Sequence, residues 1–183
     1  GVTNAINLSD GLDGLAGGIG LLCFCCIGYL AWLTGNRSVG LMAVALAGCI
    51  FGFLRFNTHP ATVFMGDAGS QFLGFSAASL SISLTQGDTA LSPLLPLIIL
   101  GFPILDTNTV MLTRIARGGS PFVADKNHFH HNLLGLGLRH PEAVLTIYVL
   151  QTLLIVSAVR IRFHSEWLLL AGYLAFSGLV LGL

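Results

Sequence analysis

Three polar stretches hold most of the side chains in this sequence that could do chemistry. In the first, residues 4–14, the side chains Asn7, Asp10 and Asp13 follow one another at intervals of three. On a helix this spacing places the three oxygen-bearing side chains on one face. Such ligands suit a hard cation such as Mg2+, which proteins commonly hold with one or two carboxylates and substrate phosphates. The alternative is a pair of Asp-Gly turns that cap a helix.

The second stretch, residues 55–70, contains the sequence Gly-Asp-Ala-Gly at residues 66–69, just before an apolar window. Glycines permit close approach of a backbone, and the free amides at a helix N-terminus bind phosphate. Asp67 would repel a bare phosphate there, so we expect it to hold a divalent cation that bridges to the phosphate. Alternatively, Asp67 is a simple N-cap. We expect His59, which precedes Pro60, to be a loop residue that forms hydrogen bonds and not a catalytic base.

The third stretch, residues 120–131, ends in three histidines, His128, His130 and His131. No Cys or further carboxylate lies at the usual zinc-ligand spacing, so a structural zinc site is disfavoured. We expect the imidazoles to donate hydrogen bonds and partial positive charge to a diphosphate, together with basic side chains nearby. For the arginines among them, anchoring of the helix at lipid headgroups is the alternative. The basic side chains are Arg114, Arg117 and Lys126.

Asp106 is the one acidic side chain inside a long apolar window, and Arg160 lies only at the end of its own window. An ionisable group in such a place is costly and is by default a functional-site hypothesis. We expect Asp106 to act by positioning another residue of the site. A buried hydrogen bond to Thr107, Asn108 or Thr109 is the alternative.

Composition fixes the environment in which these stretches must fold. Hydrophobic residues make up 54% of the 183 residues and charged residues only 9%, against roughly 25% charged in an ordinary soluble domain. This excludes a soluble globular protein. The 8 basic and 8 acidic residues cancel, so the basic surface that nucleic-acid binding requires is missing. We therefore expect membrane lipid, and no nucleic acid, as a partner.

Six apolar windows approach the roughly 20 residues that cross a bilayer. They predict an all-α, polytopic transmembrane helix bundle of about six helices, because only helices close their own backbone hydrogen bonds in lipid. Prolines predict a kink in the fourth window, and small residues such as Gly74 predict close packing of the third. The windows are Leu15–Leu33, Val39–Leu54, Gln71–Gln86, Leu91–Thr113, Ala143–Ile161 and Trp167–Leu183.

Six crossings would place alternate connections on opposite sides of the membrane. All three polar stretches then fall on one side, which also carries five of the eight basic residues. The positive-inside rule makes that side cytoplasmic. Nearly all acid, base and metal chemistry therefore gathers at one membrane face, as in a membrane enzyme with a cytosolic site.

Together, the three stretches resemble the motifs of the polyprenyl-phosphate N-acetylhexosamine-1-phosphate transferases, a superfamily within glycosyltransferase family 4. They are most similar to the bacterial undecaprenyl-phosphate N-acetylglucosaminyl-1-phosphate transferases. The residues that carry the resemblance lie in Asn4–Gly18, Asn57–Gly74 and Pro103–Leu134. Three long motifs in the family order make the resemblance specific, and it runs through nearly the whole chain.

The resemblance implies transfer of an N-acetylhexosamine 1-phosphate, with N-acetylglucosamine as the expected sugar, from a UDP-sugar to undecaprenyl phosphate, with release of UMP. It implies Mg2+ as the cofactor, with Mn2+ as a substitute. It also implies an integral protein of the bacterial plasma membrane that initiates synthesis of a cell-envelope polysaccharide. Dimers occur in the superfamily, so a homodimer is an expected assembly.

Carried over residue by residue, the resemblance makes Asn7 and Asp67 metal ligands. Asp10 matches a carboxylate that acts either as the base for the lipid phosphate or as the nucleophile, so direct transfer and a covalent aspartyl phosphate both stay open. Asp13 matches a carboxylate that contacts the nucleotide. Asp10 and Asp13 are therefore candidate catalytic residues.

Other positions match the binding of the substrate. Asn57 and Phe64 match the lining of the uracil pocket. His128, His130 and His131 match the loop that contacts diphosphate and sugar, and they complete the candidate catalytic set. The remaining candidate substrate-binding residues are Asn4, Arg114 and Lys126.

The family also has an Asp-Asp motif and several helices before the first stretch, and this sequence contains neither. We therefore expect residues 1–183 to be a single integral-membrane domain that forms the C-terminal part of a larger bundle and is inactive alone. The His-x-His-His spacing favours the N-acetylglucosaminyl branch, with muramoyl-pentapeptide and other N-acetylhexosamine transferases as alternatives. From other classes, the alternatives are a cation transporter, with Asp106 and the histidines on an ion path, and a membrane scaffold.

Overall fold

All regular secondary structure in the computed structural model is helical within the residues that it describes, 1–86, 89–120, 128–162 and 166–181. The predicted all-α fold is therefore confirmed. Residues 121–127, which include Lys126, lie outside the described residues. The helices are α1 (Val2–Leu8), α2 (Leu15–Leu33), α3 (Arg37–Asn57), α4 (Gly66–Thr85), α5 (Leu95–Ile99), α6 (Gly101–Ala116), α7 (Phe129–Gly135), α8 (His140–Ile161) and α9 (Glu166–Leu181).

Three of these helices, α2, α3 and α8, are long and apolar enough to cross a membrane. Helix α2 begins and ends at the bounds predicted for the first apolar window. Helix α9 is a shorter apolar helix, and the fourth window is divided between α5 and α6. The protein is therefore a membrane helix bundle, while the number of about six crossings stays a prediction.

Helix α2 forms the centre of the bundle. In its most apolar window 72% of the residues are buried, against 17% in α3 and 28% in α8. Phe24, Ile27 and Leu30 have no exposed surface, and α2 packs on α3, α4 and α8. Both α3 and α8 leave large apolar side chains exposed, such as Phe51 at 71% and Leu145 at 62%, as expected where lipid is the solvent. The core on α2 thereby fixes the connection that precedes it, residues 9–14.

The fourth window breaks at Leu100, where the backbone leaves helical dihedral angles (φ −101°, ψ 17°). Pro103 explains the break, because its ring lacks an N–H and clashes with the carbonyl of the residue four positions earlier, Ile99. The predicted kink is therefore confirmed, in the stronger form of two separate helices.

Gln151, which is fully buried on α8, satisfies the backbone groups at this break. Its Nε2 donates to the carbonyl of Ile99 at 2.6 Å, and its Oε1 accepts from the amide of Phe102 at 3.3 Å. The hydroxyl of Tyr173 on α9 donates to the carbonyl of Gly101 at 3.1 Å. Backbone groups without partners are costly in an apolar interior. Side chains of α8 and α9 therefore fix the orientation of α6 at the break after α5.

The short helix α1 packs closely on α4. A Cβ at Gly74 would lie only 2.8 Å from the Cα of Thr3, so a larger residue would push the helices apart. The close packing predicted for the third window is thereby confirmed. It places α1, with Asn4 and Asn7, beside the N-terminus of α4, which carries Asp67.

Candidate active site

A cavity of about 960 Å³ opens between α1, α4, α6 and α7. It brings together residues from all three polar stretches, although these stretches are far apart in the sequence. The alternation of connections predicts that the polar residues of the three stretches lie at one face, and among the described residues they do come together. The predicted site residues that line the cavity are Asn4, Asn7, Asp10, Asp67, Arg114, His128, His130 and His131.

One side of the cavity presents oxygen atoms from Asn7, Asp10 and Asp67. The Oδ1 of Asn7 accepts a hydrogen bond from the Ser70 hydroxyl at 2.5 Å, which orients the amide next to the first turn of α4. Burial, followed by the charge of Asp67, raises the pKa of Asp10. Two carboxylates that repel each other in a cavity beside an amide oxygen are the kind of ligand set that a divalent cation stabilises.

Asp67 does not cap α4. The N-cap is Met65, without a side-chain hydrogen bond, and Asp67 lies in the first turn of the helix with its side chain exposed. The alternative that made Asp67 a simple N-cap is therefore wrong. A carboxylate in the first turn is still favoured by the helix dipole.

The opposite side of the cavity is built on Asp106. Its Oδ2 lies 2.9 Å from Nδ1 of His128, and its Oδ1 accepts from the amide of Phe129 at 2.7 Å. Since α7 begins at Phe129, Asp106 holds both the start of this helix and the first histidine. The side chains of Asp106 and His128 are both buried. The expected positioning role of Asp106 is what this geometry shows.

His130 is the most closely packed of the histidines that were expected to donate hydrogen bonds and partial positive charge. Its ring packs against Gly11, where a Cβ would fall 2.4 Å from Nε2. Burial and the neighbouring His131 lower the pKa of His130 to about 4. The ring is therefore neutral at pH 7 and offers a hydrogen bond but no charge. Among the described residues, its buried Nε2 has no hydrogen-bond partner.

The turn after α1 separates two residues that the sequence predicts on one face. Helix α1 ends at Leu8, so Asp10 and Asp13 both lie in the connection to α2. Asp10 lines the cavity, whereas Asp13 is bound by the loop that follows α3. The shared helical face expected for Asn7, Asp10 and Asp13 is therefore wrong.

Two other predicted substrate-binding residues lie away from the cavity lining. Asn57 is buried, and its Oδ1 accepts from the amide of Gly14 at 3.0 Å while its Nδ2 donates to the carbonyl of Val63 at 2.9 Å. It thereby ties the connection before α2 to the loop after α3. Phe64, in that same loop, is 72% exposed.

Asp13 forms a second cluster with His59 and His140. Its Oδ2 accepts from the amide of Ala61 at 3.1 Å and lies 2.9 Å from Nδ1 of His59. These two hydrogen bonds, that of Ala61 first, lower the pKa of Asp13. The predicted hydrogen-bonding role of His59 is confirmed. The ring of His140 stacks on that of His59 with centroids 4.3 Å apart.

Several residues of the two sites were not predicted. Gln71 and Asn108 line the cavity. Gln71 lies near the N-terminus of α4, directly after the second polar stretch, which was an available signal, whereas Asn108 lies in the middle of α6. His140 lies outside the three polar stretches, and the sequence did not assign it to any site. Its contact with His59 depends on how α8 packs, and the sequence around it gives no sign of that.

Comparison with known proteins agrees with the motifs. Residues 1–85 match glycosyl transferase family 4. The chain is 40% identical over 169 residues to the probable undecaprenyl-phosphate N-acetylglucosaminyl 1-phosphate transferase of Bacillus subtilis (strain 168), covering 92% of this chain and 47% of that protein. It is 34% identical over 179 residues to the undecaprenyl-phosphate alpha-N-acetylglucosaminyl 1-phosphate transferase of Escherichia coli (strain K12), covering 93% and 49%.

A relative of the same name in Yersinia pestis is also 34% identical over 179 residues. The chain spans about half the length of the curated relatives that it matches. The resemblance seen in the three polar stretches is confirmed. Residues 1–85 match glycosyl transferase family 4, and nearly the whole chain is similar to part of the undecaprenyl-phosphate N-acetylglucosaminyl 1-phosphate transferases.

Proposed function

We propose that this protein transfers N-acetylglucosamine 1-phosphate from UDP-N-acetylglucosamine to undecaprenyl phosphate and releases UMP. The transfer takes place at the cytoplasmic face of the bacterial plasma membrane and initiates synthesis of a cell-envelope polysaccharide. One observation carries the proposal: a single cavity joins the oxygen ligands of the first two motifs to the histidines of the third. The names of the relatives support the choice of sugar and lipid.

The cavity fits a divalent metal ion of the Mg2+ class. Asn7 and Asp67 offer an amide oxygen and a carboxylate, which are ligands that Mg2+ accepts, with Mn2+ as a substitute. Asp10 lies beside them, and burial together with the charge of Asp67 raises its pKa. When bound, the ion supplies charge neutralisation to a diphosphate.

The carboxylate of Asp10 is the group placed to act on the lipid phosphate. A phosphate monoester keeps one proton up to a pKa near 6, and a carboxylate with a raised pKa is better matched to accept that proton. Its negative charge also permits attack on the phosphorus next to the sugar. That step would break the bond to UMP and give a sugar phosphate bound to Asp10, from which the lipid phosphate would then displace the carboxylate. In either route Asn7 stays fixed by Ser70 and orients the oxygen side of the cavity.

The imidazoles support the diphosphate of the nucleotide sugar. His128 is fixed by Asp106 through Nδ1, so its Nε2 is the atom left for a ligand. The buried Nε2 of His130 is without a partner among the described residues. Donors held in place before the reaction stabilise charge that develops on the leaving UMP. Arg114 lines the same cavity and adds a fixed positive charge.

Sugar specificity is tested with the full-length protein in membranes, Mg2+ and undecaprenyl phosphate. The nucleotide sugars to compare are UDP-N-acetylglucosamine, UDP-N-acetylgalactosamine and UDP-N-acetylmuramoyl-pentapeptide. We expect UMP release to be fastest with UDP-N-acetylglucosamine. Faster release with another donor would overturn the choice of sugar, and no release with any donor would overturn the function.

A further inference from the structure

The cluster of Asp13, His59 and His140 has the composition of a metal site. One ligand atom from each residue lies within 4.8 Å of the others, and this is the one such group of three in the part of the chain that the structure describes. The three residues come from three segments: the connection before α2, the loop after α3 and the first residue of α8. No residue of the cluster lines the cavity described above.

The backbone around the cluster is fixed by hydrogen bonds that all meet at Gly14, the residue after Asp13. The amide of Gly14 donates to Oδ1 of Asn57, two residues before His59, at 3.0 Å. The carbonyl of Gly14 accepts from the hydroxyl of Tyr148, two turns after His140, at 2.6 Å. The three ligand-bearing segments are thus held together before any ion binds, which lowers the cost of ordering a site.

Two candidate ligand atoms of the cluster already face each other. Nδ1 of His59 lies 2.9 Å from Oδ2 of Asp13, so an ion can take the place of the proton between them once the two atoms separate slightly. His140 has a buried Nε2 for which the described residues supply no hydrogen-bond partner. The cluster therefore holds nitrogen lone pairs that no protein group uses.

We propose that Asp13, His59 and His140 form a second cation site, selective for a borderline transition metal such as Zn2+. Imidazole nitrogen suits Zn2+, whereas all-oxygen sites suit Mg2+. Zinc ligands lie about 2.0–2.2 Å from the ion, so atoms now up to 4.8 Å apart must move closer together. His59 can make this movement because its side chain is 42% exposed.

A metal at this site would link the three segments that surround it. Because an ion that binds only the folded state stabilises it by mass action, Zn2+ should raise the melting temperature of the protein. Asp13 also matches a nucleotide-contacting residue, so the ion would lie at the edge of the nucleotide site. The inference does not depend on transferase activity, since its readout is binding of Zn2+.

The test measures Zn2+ affinity of the full-length protein in detergent, by competition with a chromophoric chelator, in the presence of excess Mg2+. We expect His59→Gln and His140→Gln each to weaken Zn2+ binding about 10- to 100-fold. The double variant should bind more weakly than either single variant, because each substitution removes one ligand of the same site. His140→Cys should retain binding, since a thiolate is also a zinc ligand.

Two controls separate this site from others. His131→Gln removes an imidazole from the cavity, and Glu142→Gln removes an exposed carboxylate two residues from His140. Both should bind Zn2+ like the unaltered protein. Unchanged affinity in His59→Gln and His140→Gln, or loss of binding in His131→Gln alone, would overturn the proposal. The metal-free melting temperature of each variant identifies any that fails to fold.

Discussion

The cavity and the Asp13 cluster use the same kinds of side chain in different arrangements. In the cavity, the carboxylates of Asp10 and Asp67 lie with an amide on one side, and imidazoles line the other side, where Asp106 fixes His128. The cluster has a single carboxylate in direct contact with an imidazole that stacks on a second. A group of oxygen ligands favours a hard cation and a phosphate, whereas one carboxylate with two imidazoles favours a nitrogen-ligated metal.

The two regions also differ in what holds them in place. Buried helix contacts build the cavity: α1 against α4, and α6 held by Gln151. The cluster lies at helix ends and in loops, and the hydrogen bonds at Gly14 hold these segments together. The cavity should therefore depend on packing inside the bundle, and the cluster on a few polar contacts near the membrane surface.

The largest expected effect is the loss of a carboxylate from the cavity. Asp67→Asn removes a negative charge from the cation site, and we expect turnover to fall about 10³-fold. UMP release by the full-length protein measures this. Glu166→Gln, the same chemical change at an exposed position at the start of α9, should leave turnover near normal. Near-normal turnover in Asp67→Asn would show that the cavity does not carry out the reaction.

The next largest effect concerns the residue that positions His128. In Asp106→Asn a neutral amide replaces the carboxylate that accepts from Nδ1 of His128, so the variant no longer stabilises an imidazolium that donates from Nε2 to the diphosphate. We expect kcat to fall about 10²-fold, in the manner of a wrongly oriented catalytic histidine. The pH profile of kcat should change as well. A change in KM alone would show that Asp106 serves binding and not the orientation of His128.

A smaller effect is expected on stability, from the break between α5 and α6. Gln151→Leu leaves the carbonyl of Ile99 and the amide of Phe102 without their side-chain partner. The expected loss in free energy of unfolding is about 1–3 kcal/mol, measured by denaturation in detergent. Thr152→Val, at the adjacent exposed position, is the matched control. Zn2+ affinity should stay unchanged in both variants, because the cluster does not depend on this break.

The smallest effect on stability is expected from the loss of one hydrogen bond that holds the segments of the cluster together. Tyr148→Phe removes the hydrogen bond to the carbonyl of Gly14, at an expected cost of about 0.5–1.5 kcal/mol in unfolding free energy. Zn2+ affinity should fall, while Mg2+-dependent turnover should fall less. If turnover falls more than Zn2+ affinity, the two regions are not independently supported.

Much of the architecture could be predicted because its signals are local. The bounds of α2 follow from a single apolar window, and Pro103 marks the break before α6. The predicted alternation of connections across the membrane places the three polar stretches at one face without any knowledge of packing. These features depend on the length and order of segments, which a sequence displays directly.

The remaining features depend on contacts between distant segments. A spacing of three is compatible with a helix face and with a turn, so the separation of Asp10 from Asp13 could not be read from it. His140 meets His59 only because α8 packs beside the loop after α3. The low pKa of His130 follows from its burial against Gly11, which only the folded cavity creates.

The central claim is that the cavity transfers the sugar together with its phosphate. The most direct measurement uses UDP-N-acetylglucosamine with ³²P in the phosphate next to the sugar and ³H in the sugar, given to the full-length protein with undecaprenyl phosphate and Mg2+. We expect both labels to appear in the lipid product in equal molar amounts, with neither transferred by Asp67→Asn. Transfer of ³H alone, with ³²P retained in released UDP, would contradict the account.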